Sequence, residues 1–122
     1  MLVTGAFLAI FISLVHSYLG ERYILIRLFK GELPKLLGSD WFTKRVLRFA
    51  WHLTTVAWWG FAAILFILSS PSEHIQQQIL VVIAVVFLIS GLLSAAFTKG
   101  KHISWVFFWS IAGLSFYVAQ SS

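Results

Sequence analysis

Apolar and polar positions alternate along this chain in long blocks: four apolar runs, at about residues 2–22, 46–68, 77–98 and 102–119, stand apart from three polar stretches. Each run is close to the roughly 20 residues that carry a helix across about 30 Å of hydrocarbon. Helix is the form expected of them, because lipid offers no partner to a free backbone N–H or C=O. The connections SSPSEH at 69–74 and TKGK at 98–101 leave room only for tight reversals. Helices two and three, and three and four, are therefore expected to be antiparallel neighbours.

The first connection, LFKGELPKLLGSDWFTK at 28–44, is too polar to span a membrane, yet it carries Leu36, Leu37, Trp41 and Phe42. It reads as an interfacial segment broken at Pro34 and Gly38, with Ser39 or Asp40 capping the next helix. The expected fold is all-α: an integral membrane four-helix bundle with four transmembrane helices, residues 1–122 forming a single transmembrane domain. No repeat divides the chain.

Composition sharpens this picture, since 60% of the residues are hydrophobic and only 11% charged, far from the soluble norm. The first run has no basic stretch before it and no small-residue cleavage pattern after it, so it is expected to remain as a span. The absence of cysteine excludes disulfides, thiolate metal sites and covalent haem attachment. A cofactor would have to be held by histidine, carboxylate or backbone.

All nine basic residues flank two connections: Arg22, Arg27, Lys30, Lys35, Lys44, Arg45 and Arg48 the first, Lys99 and Lys101 the third. By the positive-inside rule these connections are cytoplasmic and both termini outside, as in a bacterial-type inner membrane. The pI near 10 thus needs no nucleic-acid partner. The expected partners are the lipid bilayer and a membrane protein or a second copy of the chain.

Depth arithmetic locates the candidate chemistry. Residues on antiparallel helices one and two share a level when their numbers sum to about 68, at 1.5 Å per residue. His16 then lies level with His52, about 6 Å inside the basic boundary, and Glu21 lies near Arg48, where either charge alone would be costly. Arg48, His52, Thr55 and Trp59 share one helical face. Small residues at Gly5, Ala9, Ser13 and Ser17, and again at Ser90, Ser94 and Thr98, mark faces where another helix approaches closely.

Four uses of this cluster are open at the sequence level. His16 and His52 are candidate axial ligands of haem b, with Gly20 relieving crowding beside the macrocycle and Arg48 meeting a propionate; as an arrangement only, this is similar to membrane b cytochromes. His16, His52, His102 and Glu21 are candidate ligands of a transition metal for electron transfer, although Glu21 lies about 140° around the helix from His16. Quinone, lipid or proton handling is the third use, since histidine titrates nearest neutrality. The fourth is helix association in a non-catalytic accessory or structural subunit of a larger membrane complex. Trp51, Trp58, Trp59 and Trp109 are candidates either to line a flat-ligand pocket or to pack, with packing favoured, and Trp41 reads as an interface anchor. No hydrolase, nucleotide or metalloprotease motif is present, so whether the chain is an enzyme stays open.

Overall fold

The computed structural model describes residues 1–121. They form four helices and no strand: α1 (Leu2–Leu28), α2 (Trp41–Leu68), α3 (Ile75–Thr98) and α4 (Ser104–Ser121). The chain is all-helical as expected, and α1, α2 and α3 are long and apolar enough to cross a membrane. α4, with Ser104, Ser110, Ser115 and Gln120 along it, is shorter than α2 and α3 and is not among these three.

The helices overrun the apolar runs at the basic end. α1 continues to Leu28 and α2 begins at Trp41, which leaves residues 29–40 as the irregular connection. The physical reason is that helix and charge are compatible at headgroup level: Asp40 pairs with Lys44 at 3.0 Å across one turn, a pairing that favours helix. The capping expectation is met by Ser39, whose Oγ accepts from the Trp41 N–H at 3.3 Å. Asp40 occupies the N-cap position but makes no capping bond. The connection folds back on α2, with Thr43 Oγ1 donating to the Pro34 carbonyl at 2.7 Å.

The helices stand in a row. α1 packs on α2, α2 on α3 and α3 on α4, and among the described residues no close backbone approach joins α1 to α3 or α4, nor α2 to α4. Small and hydroxyl side chains fill the contacts: Ser13, Ser94 and Thr98 are fully buried, whereas Phe7, Phe11, Phe61 and Phe107 are each more than 60% exposed. This inverts the soluble pattern and suits lipid, where close backbone approach and hydrogen bonds, rather than apolar burial, hold helices together. Between α3 and α4, Ser94 Oγ meets Ser104 Oγ at 2.6 Å and Trp109 Nε1 donates to the Leu88 carbonyl at 3.2 Å.

Side-chain contacts gather the first and third connections at one end. Arg48 pairs with Glu21, Arg45 Nε donates to the Phe97 carbonyl, and Lys99 and Lys101 lie 5.6 and 5.1 Å from the Trp41 ring centre. At the other end, Gln77 Nε2 donates to the Ala119 carbonyl at 3.0 Å.

Gly91 tests this packing. A Cβ there would lie 2.3 Å from the Trp109 indole, while one at Gly113 would meet nothing within 4 Å. Gly91→Ala should therefore destabilise the protein by about 1–3 kcal/mol, and Gly113→Ala should be neutral or slightly stabilising through helix propensity. Thermal unfolding in detergent, followed by circular dichroism, compares the two.

Candidate functional site

The site forms where α1 meets α2 near the basic end, and it begins with a defect in α1. From Gly20 to Leu25 the helix widens into a π-helical turn, a form that recurs at functional positions. Trp51 of α2 fills the space in front of Gly20, where a Cβ would stand 1.9 Å from the indole Nε1. Only glycine admits the ring.

Trp51 and His16 then bind each other twice. The indole Nε1 donates to the His16 carbonyl at 3.0 Å, and His16 Nε2 lies 3.2 Å from the Trp51 carbonyl. Because a carbonyl only accepts, this bond places a proton on His16 Nε2. The two rings stack 4.7 Å apart and nearly parallel, and Trp58 lies against the same imidazole at 4.9 Å.

One residue further on, Ser17 points to a different part of α2. Its Oγ lies 2.9 Å from His52 Nδ1 and is hydrogen-bonded to Thr55 Oγ1. One turn toward the basic end, Glu21 receives Arg48 Nε at 2.9 Å on one oxygen and 3.2 Å on the other. His52 Nε2 stands 3.8 Å from the same carboxylate. Ser17 and Glu21 on α1 thus interlock with Thr55, His52 and Arg48 on α2, each set at helical spacing along one face. The result is a polar chain, Thr55–Ser17–His52–Glu21–Arg48, leading toward the basic end. Arg48 is sheltered by Phe29, whose ring centre lies 5.0 Å from the guanidinium carbon.

Of the residues singled out in the sequence, His52, Glu21 and Arg48 come together. His16 faces the indoles of Trp51 and Trp58, and the space beside Gly20 holds Trp51. His102 lies at the α3–α4 turn, edge-on to Phe49 at 5.3 Å, stacked on Phe42 at 6.1 Å and bonded to Ser104 Oγ at 2.8 Å. Among the described residues no group of three or more His, Asp or Glu gathers as a metal site. Ser17 and Trp51 were missed as site residues. A signal for Ser17 existed: Glu21 with Arg48 sums to 69, and the same sum pairs Ser17, not His16, with His52.

A groove of about 360 Å³ opens beside the cluster, lined by Leu14, Trp59 and Leu93 among other apolar residues and bordered by Ser17, His52 and Thr55. Among the described residues every buried side-chain nitrogen and oxygen has a hydrogen-bond partner. Comparison of the chain with protein families, with characterised proteins and with solved structures finds no match.

The Glu21–Arg48 pair should carry measurable coupling. In a double-mutant cycle of Glu21→Gln and Arg48→Gln, the single variants should each lose about 1–3 kcal/mol and the double variant less than their sum. Additive losses in unfolding experiments would mean that the two side chains do not interact.

Proposed function

We propose that the chain is a four-span protein of a bacterial-type inner membrane, with both termini outside, and that its His52 groove binds the head of a quinone-class amphiphile. The fourth span is argued from α4, which carries no charged residue over 18 positions, enough to rise about 27 Å, and packs along α3. The orientation follows from the basic residues sharing one end.

The carrying observation is that Ser17, His52 and Thr55 are among the residues lining a groove whose surface is otherwise apolar. An isoprenoid tail suits that surface, as ligand sites are mostly apolar with a few placed polar groups. The imidazole supplies a hydrogen bond for a head-group oxygen and is held in place by Ser17, whose hydroxyl is paired with it and with Thr55. A helix lock alone would gain from full burial, whereas the side chains of His52, Arg48 and Glu21 remain 23, 28 and 34% exposed.

The accessory-subunit reading has its own support in the open row: among the described residues no other helix packs on the outer side of α1 or of α4. A bis-histidine haem would require His16 to leave the Trp51 carbonyl and both indoles. A metal at His52 and Glu21 would require further ligands.

Extraction of the protein purified from its native membrane, with quinones quantified by absorbance, tests the proposal. Close to one quinone per chain is expected. His52→Ala and Ser17→Ala should retain about tenfold less, the scale of a lost hydrogen bond with a desolvated partner left behind. His52→Gln, which keeps a donor and an acceptor, should retain more than His52→Ala. A quinone-free wild type, or folded variants that retain it in full, would overturn the reading.

A further inference from the structure

We infer that Arg45, Lys99 and Lys101, gathered around Trp41, bind the phosphate of an anionic phospholipid. The inference rests on the membrane placement and is independent of the His52 groove. The charged centres lie 5.9, 5.6 and 5.1 Å from the Trp41 ring centre, in that order. Among the described residues no ion pair offsets them: Asp40, the nearest carboxylate in sequence, pairs with Lys44 at 3.0 Å, and Glu21 with Arg48 at 2.9 Å. Like charges brought around one ring in this way raise one another's cost. The indole face relieves part of that repulsion, and an anion among them would relieve more.

The charges are held by fixed backbone. Lys99 ends α3 in the left-handed region at φ 53°, where the Gly100 N–H bonds to the Ala95 carbonyl at 2.8 Å and the Lys101 N–H to Thr98 at 3.1 Å. Trp105 Nε1 bonds to the Gly100 carbonyl at 3.1 Å from the far side. Arg45 is tethered through Nε to the Phe97 carbonyl, which leaves its terminal nitrogens for a ligand. Ile103, 67% exposed beside Lys101, offers apolar surface where glycerol and the first acyl carbons would lie. That neighbour favours a lipid phosphate over a free anion. The positive-inside rule requires charges on one side of the membrane; it does not require three of them, from two connections, around a single ring.

Native mass spectrometry of the detergent-solubilised protein, with added phosphatidylglycerol or phosphatidylcholine of the same acyl chains, tests this. Phosphatidylglycerol adducts should dominate, and Lys99→Gln/Lys101→Gln should reduce them at least fivefold. Lys30→Gln/Lys35→Gln, which removes the same charge elsewhere, should not. Equal binding of the two lipids, or equal loss in both double variants, would reduce the basic residues to topology alone. Displacement of phosphatidylglycerol by millimolar inorganic phosphate would overturn the lipid assignment.

Discussion

A polar group facing hydrocarbon without a partner costs several kcal/mol, and the α1–α2 interface is organised around that constraint. Ser17 and Glu21 can be accommodated in α1 because Thr55, His52 and Arg48 stand opposite them on α2. Trp51, seated against Gly20, fixes the distance and the rotation at which this happens. The interlock sets the α1–α2 register, and with it the position of His52 at the edge of a groove and of the basic residues at one end.

The same constraint explains why the helices form a row. In water, each exposed phenylalanine of α1 or α4 would favour closure into a bundle. In lipid those faces are already solvated, so helices approach only where small residues, hydroxyls or indoles supply contacts. Gly91 with Trp109, and Ser94 with Ser104, are such places on the α3–α4 side. Packing leaves two polar surfaces open, the groove beside His52 and the cation cluster at Trp41, and the two proposals rest on them.

Depth was legible in the sequence and rotation was not. The fixed rise of a helix put Glu21 near Arg48 and His16 level with His52, one residue short of Ser17, but adjacent residues such as His16 and Ser17 differ by about 100° in direction. That angle decides which of them reaches His52. The π turn from Gly20 alters the phase of α1 further, and nothing in the local residue types announces it. Gly20 was read as relieving crowding beside a haem, whereas in the structure Trp51 occupies the space in front of it. Helix ends at the basic side were also hidden, because headgroup level tolerates helix and charge together. An apolar helical face looks the same in sequence whether lipid or another helix covers it, so the open row could not be read in advance.

The chain has no cysteine, so a single introduced pair reports one contact without background. Ser17→Cys with Thr55→Cys replaces two side chains that touch in the structure, close to the spacing a disulfide needs. Mild oxidation in native membranes should give a high-yield bond within one chain, while Tyr18→Cys with Thr55→Cys, rotated about 100° away, should stay reduced. Failure of the first pair to cross-link, or cross-linking of the second instead, would contradict the register on which the site is built.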